Sequence, residues 1–144
     1  MNYHLAILKK PYIDAILDNR KTVESRFYQT KYKWLKQVKP GDKLFLKAVS
    51  GPVMATATIA TVKYFDNLTA QKINKIKLQY NYCIAGNEQY WSEKMNARFG
   101  ILVWMKNVSP LTPIFIRKAD WRAWVVLTQN EHFGLLNKGH FPGK

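Results

Sequence analysis

"KLFLKAVSGPVMATATIATVKYF", residues 43–65, is the stretch on which the fold turns. Its first part alternates Lys43 and Lys47 with Leu44 and Leu46, the period-two signature of a strand with one solvated and one apolar face. Ser50, Gly51 and Pro52 then break the chain into a turn. The second part, 53–65, is a long run rich in β-branched residues, suited to a strand that curves around a barrel. The two strands are therefore expected to pair antiparallel across the turn, within a closed or nearly closed barrel.

Upstream, "HLAIL" (4–8) reads as a short buried strand and "KPYIDAILDN" (10–19) as a helix. Ile13, Ile16 and Leu17 fall at helical spacing, Pro11 is acceptable in a first turn, and Asn19 suits a left-handed helix end. "KTVESRF" (21–27) alternates as a strand, and "KPGD" (39–42) is a turn. Downstream, "NLTAQKINKIKLQ" (67–79) reads as a helix capped by Asn67 or Thr69, with Ile73 and Ile76 on its apolar stripe. "FGILVWMKNV" (99–108) is a strand and "SPLTP" (109–113) a break. "PIFI" (113–116) and "WRAWVVL" (121–127) supply two last strands, although Trp121, Trp124 and Val125 equally suit a helical turn. The sum is an α+β chain of five to seven strands and two main helices, a small mixed or antiparallel barrel rather than a doubly wound sheet.

The length of 144 residues suits one domain, expected over 1–130. Residues 131–144, with their Gly and Lys, are expected to form a partly mobile tail. A hydrophobic fraction of 47% excludes a disordered chain. Twenty-three Lys and Arg against nine Asp and Glu leave a net charge of +14, a field that attracts polyanions and makes nucleic acid the expected partner. The single cysteine, Cys83, reads as a small buried apolar residue and points to a reducing, cytoplasmic location. No apolar run is long enough for a signal peptide or a membrane span, so no membrane association is expected. His4, His132 and His140 lack metal-ligand spacing, and no Gly-rich phosphate loop is present, so neither a metal nor a cofactor is expected.

The run "DNRKTVESRF" (18–27) crowds Arg20, Lys21, Glu24 and Arg26 into the change from helix to strand. With Val23, Ser25 and Phe27 on one face of the strand, Thr22, Glu24 and Arg26 share the other. Covered by a neighbouring helix, an ion pair between Glu24 and Arg26 beside Lys21 would make a desolvated site of fixed geometry. "NYCIAGNEQYWSEK" (81–94) reads as a loop whose Tyr90 and Trp91 either stack on a base or pack under the barrel. Lys72, Lys75 and Lys77 are either a solvated helix face or a phosphate track.

"NRKTVESRF" (19–27) resembles the signature of the ASCH domain, a member of the PUA-like superfamily, whose consensus is glycine-x-lysine-x-x-glutamate-x-arginine. Asn19 stands at the glycine position, and Lys21, Glu24 and Arg26 match. The preceding strand and helix and the following "VKPGDKLFL" match the family's layout, clearly over about 4–65 and more loosely to about 127. The resemblance implies a PUA-like β-barrel with a cleft lined by Lys21, Glu24 and Arg26, and a superfamily habit of binding RNA, often at a modified base. One ASCH branch hydrolyses the amide of acetylated cytidine with a lysine, a threonine and a glutamate. Its lysine falls on Lys21, its threonine on Glu24 with Thr22 nearby, and its glutamate on Glu88 or Glu93. A ribonuclease activity is also associated with ASCH-like proteins.

Two functions follow from this reading. The first is a module that grips RNA or a nucleoside through Lys21, Thr22, Glu24, Arg26, Tyr90 and Trp91, with Lys72, Lys75 and Lys77 as a nucleic-acid track. The alternative is a hydrolase, an amidohydrolase on a modified nucleoside or a ribonuclease, using Lys21 with Glu24 or Glu88.

Overall fold

A computed structural model describes residues 1–137 and 139–141. In chain order the elements are β1 (Tyr3–Leu8), α1 (Lys10–Leu17), β2 (Val23–Tyr28), β3 (Lys43–Ala48), β4 (Val53–Phe65), α2 (Ala70–Ile84), α3 (Glu88–Glu93), β5 (Phe99–Ile114) and β6 (Trp124–Leu127). Short 3-10 turns occupy Lys33–Gln37 and Leu135–Asn137. The strands form one six-stranded sheet in the order β2-β5-β4-β3-β1-β6. β1 runs parallel to β3, and every other pairing is antiparallel. The result is an α+β fold, a mixed sheet curled into a half-barrel.

The hairpin of β3 and β4 pairs as its alternation predicts, with Leu44 opposite Ala57 and Leu46 opposite Ala55. Register shifts interrupt the β3–β4 ladder once and the β4–β5 ladder three times. Each such shift bends and twists the strand locally, which is how a long flat ribbon becomes a curved wall. Leu44, Leu46, Ala57, Ile59, Ile101 and Val103 fill the inside of the curve with Ile13 and Ile16 of α1. On the other side of β2 and β5, Val23, Phe27 and Leu102 pack against Ile73, Ile76 and Ile84 of α2 and Trp91 of α3.

Four expectations need correction. β5 does not stop at Ser109 but runs on to Ile114, and Pro110 pairs with Ala55. β2 reaches along β5 only as far as Trp104, so beyond it β5 has a neighbour on one side alone. There a proline without an N–H leaves no partner unsatisfied, and of "PIFI" only Pro113 and Ile114 are strand, as the end of β5, while Phe115 and Ile116 lie beyond it. Of "WRAWVVL" only Trp124–Leu127 is strand, while Trp121 is fully exposed. Residues 81–94 are largely helical rather than a loop: α2 extends to Ile84, and the Asn87 side chain accepts from the Tyr90 N–H at 2.8 Å to cap α3. Within the described part of 131–144, Leu135 is buried beside Leu5, Phe45 and Val125.

A buried polar chain ties the first strand to the last. His4 Nδ1 accepts the indole N–H of Trp124 at 3.1 Å, and Nε2 donates to Asp42 at 2.8 Å. With Nδ1 an acceptor, the ring is neutral and carries its proton on Nε2. Burial pushes the His4 pKa below its ordinary value, more strongly than Asp42 raises it. The unfolded chain therefore binds the proton more readily than the folded one, and stability falls as pH drops below the ordinary imidazole value of about 6.5. The expected slope there is at most about 1.4 kcal/mol per pH unit for this one proton. Denaturant melts between neutral pH and pH 5 would measure it. The same slope in His4→Gln would show that His4 is not its source.

Candidate functional site

The site begins at the end of α1. Asn19 takes φ 62°, the left-handed conformation. Its N–H bonds to the Ile16 carbonyl at 3.1 Å and that of Arg20 to the Ala15 carbonyl at 2.9 Å. These two bonds form a Schellman ending, which turns the chain sharply from helix to strand. Asparagine serves where glycine would, because its side chain tolerates positive φ better than most. The turn drives Lys21 inward, and Val23 rather than Thr22 opens β2.

Lys21 is 3% exposed, and its ammonium is fully used. Nζ donates to the carbonyls of Val23 at 2.9 Å and Ile84 at 2.7 Å, and pairs with Glu24 Oε1 at 3.2 Å. Glu24 Oε2 takes Nε of Arg26 at 2.8 Å. The Arg26 guanidinium also donates to the Ala123 carbonyl at 3.2 Å and the Ile7 carbonyl at 3.0 Å. β2 and β6 are the two ends of the sheet, so Arg26 laces one end to the other where no ladder closes the curve. The Trp124 ring lies 5.4 Å from the guanidinium and stacks on Trp34 at 4.9 Å.

Burial alone would push the Glu24 carboxyl up, but Lys21 and Arg26, by charge and hydrogen bonds, hold it below the ordinary carboxylate value. Burial works against the Arg26 cation, but Glu24 and Tyr28, by charge and hydrogen bonds, together outweigh it and raise its pKa. The three charges are thus a self-satisfied cluster, cation, anion, cation.

Beside it opens a cleft of about 350 Å³ between β2, α1 and α3. Lys21, Glu24, Arg26 and Tyr90 all line it, as do Tyr12, Tyr28, Glu93 and Lys94. Tyr90 reaches across from α3, its hydroxyl 2.6 Å from Ser25 Oγ, and burial pushes its pKa up. Gly86 allows α3 to sit this close: a Cβ there would stand 2.8 Å from the Tyr90 ring and 2.9 Å from Trp91 Nε1.

Other expected site residues lie elsewhere. Thr22 is exposed and does not line the cleft, because the strand parity that turns Glu24 inward does not hold in the turn before β2. Trp91 is 1% exposed, 5.9 Å from the Phe27 ring, with its indole N–H donated to Asn81 at 3.0 Å. It is a core residue with no free face for a base. Glu88 points outward, its side chain 90% exposed and paired with Lys77 at 3.0 Å, so the cleft's acid from α3 is Glu93 instead. Lys72, Lys75 and Lys77 stand on the outer side of α2, away from the cleft lining. Lys72 donates to the Asn67 carbonyl at 3.1 Å.

Tyr12, Tyr28 and Lys94 were not singled out from the sequence. Read as a helix, "EQYWSEK" would have given Lys94, because positions four apart share a face and Tyr90 is its partner. Among the described residues no group of three or more His, Cys, Asp or Glu converges on a metal site. No helix among them is long and apolar enough to cross a membrane.

No family model matches the sequence, and no curated protein does either. The three-dimensional likeness is extensive. The ASCH protein from Zymomonas mobilis superposes with a TM-score of 0.72 at 15% identity, covering 94% of this chain and 94% of that one. Two variants of that protein match similarly. One has a TM-score of 0.72 over 95% of this chain and 98% of its own, the other 0.71 over 94% and 95%, at 15% and 16% identity. At such identity the likeness is one of fold, and the chain has the fold of an ASCH protein.

Proposed function

We propose that the cleft binds a nucleoside, plain or modified, presented alone or within single-stranded RNA. The observation that carries this reading is the cleft itself. Its volume of about 350 Å³ falls at the small-ligand end of binding pockets. Tyr12, Tyr28 and Tyr90 offer aromatic surface, and a base bound among such rings stacks without regard to sequence. The charged cluster supplies fixed polar edges, and the +14 charge favours a polyanionic source of the ligand.

The same geometry disfavours turnover. A general base works best with a pKa near the working pH, whereas Glu24 is held low between two cations. Lys21 has no N–H left for a substrate, and no hydroxyl replaces the threonine of the amidohydrolase branch at position 24.

The test is a panel of plain and acetylated nucleosides and short single-stranded RNAs, measured for binding by calorimetry and for product by chromatography. Binding without product is expected. Tyr12→Ala should weaken it by about 1–3 kcal/mol if one base stacks there. RNA affinity should fall with salt at a log–log slope of roughly −0.7 per phosphate contacted. Replacing Lys72, Lys75 and Lys77 together should flatten that slope if RNA runs along α2, and leave it unchanged if they are a solvated face. Product that requires Lys21 and Glu24 would replace this reading by the hydrolase. Failure of every nucleoside and RNA to bind would reject it.

A further inference from the structure

We propose that Lys94, together with Arg26, forms a phosphate subsite in the cleft, so that the preferred ligand is a nucleotide rather than a bare nucleoside. The inference rests on the nucleoside-binding reading and narrows its ligand class.

Four cationic side chains line the cleft, Lys9, Lys21, Arg26 and Lys94, against two carboxylates, Glu24 and Glu93. Lys21 is fully used by its three acceptors, and Glu24 is shared between Lys21 and Arg26. Arg26 uses three of its five N–H groups on Glu24, Ala123 and Ile7 and a further one on the Tyr28 hydroxyl, so one remains beyond these bonds. Glu93 accepts from Gln89 at 3.4 Å. Among the described residues Lys94 has no carboxylate within ion-pair distance, and its ammonium stands 5.2 Å from the centre of the Tyr90 ring.

A half-buried ammonium without a contacting counter-ion is costly. Burial first, and the Arg26 charge second, push the Lys94 pKa down, while Glu93 and Glu24 oppose them. An anion placed between Lys94 and Arg26 would relieve both. A phosphate monoester carries about −1.5 to −2 charges at neutral pH, enough to balance the cleft's excess of cations. A planar guanidinium and an ammonium together suit its several oxygens. Tyr90, four residues before Lys94 on the same helical face, would bring the attached nucleoside against an aromatic ring.

Each of the four common ribonucleosides, with its 3′- and 5′-monophosphate, would be titrated by calorimetry at fixed ionic strength into wild type, Lys94→Met, Lys94→Arg and Lys106→Met. Lys106 is an exposed lysine of β5 outside the cleft lining and controls for overall charge. At least one monophosphate should bind wild type about 10-fold more tightly than its nucleoside. Lys94→Met should remove most of that ratio, whereas Lys94→Arg and Lys106→Met should keep it. Nucleosides that bind wild type as tightly as their monophosphates would overturn the phosphate subsite and leave the nucleoside reading standing. So would a ratio indifferent to Lys94→Met, or one that Lys106→Met lowers equally. If neither nucleosides nor nucleotides bind, both readings fall.

Discussion

Glu24→Gln is expected to lower the thermal midpoint by about 10 °C or more, a loss of about 3–5 kcal/mol. Glu24 is 6% exposed and is the shared counter-charge of Lys21 and Arg26. Glutamine keeps the shape and one acceptor oxygen but strands two buried cations without a charge between them. Were the same pairs on an open surface, the change would cost only about 0–1 kcal/mol. The larger figure is expected because water cannot replace the missing carboxylate. A triple replacement of Lys21, Glu24 and Arg26 by apolar residues of similar volume should recover part of the loss, since no unpaired charge then remains. Acid gives an independent check. Glu24 has a folded pKa below its ordinary value, so its contribution is present above the unfolded carboxylate range near about 4.3 and fades as pH falls towards the folded value. A midpoint unchanged by Glu24→Gln would mean that the cluster is solvated and that the Arg26 lacing does not hold the ends of the sheet together.

That cluster also explains what could be read from the sequence. The period-two alternation of 43–49, the β-branched run of 53–65 and the helical spacing of Ile13 and Ile16 are local patterns, and they correctly specify hairpin and helix. That Lys21, Glu24 and Arg26 form one charged cluster was legible for the same reason, because a turn and a strand bring them together within six residues. What escaped depends on partners distant in the chain. Pro110 and Pro113 look like breakers until it is known that β2 ends opposite Trp104, which leaves that part of β5 with an open side. The roles of Tyr12 and Lys94 exist only where α1 and α3 converge on β2. Nor does the motif disclose that the Arg26 guanidinium is largely engaged by the carbonyls of Ile7 and Ala123, 19 and 97 residues away. The motif residues are therefore as much a clasp for the half-barrel as a lining for its cleft.

Trp91 carries the other large expected effect, because α3 delivers Tyr90 and Lys94 to the cleft through it. The indole is buried against Phe27, and its N–H shares Asn81 Oδ1 with the Gly86 N–H, at 3.0 and 2.8 Å. Asn81 thus holds the end of α2, the connecting Gly86 and the body of α3 in one arrangement. Trp91→Ala should cost about 3–5 kcal/mol through the cavity it leaves, lowering the thermal midpoint by about 10 °C or more. It should also weaken nucleotide binding at temperatures where the variant is still folded, since Tyr90 and Lys94 lose the anchor that sets their position. Trp91→Phe keeps most of the contact with Phe27 and forfeits the hydrogen bond to Asn81, so an intermediate loss is expected. Tyr90→Phe removes only a hydroxyl bonded to Ser25 and should cost about 1 kcal/mol. The measurements are denaturant melts alongside calorimetric titration with the nucleotide that wild type binds best. If Trp91 were instead a stacking platform for a base, Trp91→Ala would leave the melt nearly unchanged and abolish binding. A large fall in stability with Trp91→Ala, partly restored by Trp91→Phe, would place Trp91 in the scaffold and leave stacking to Tyr12, Tyr28 and Tyr90, the rings that face the cleft.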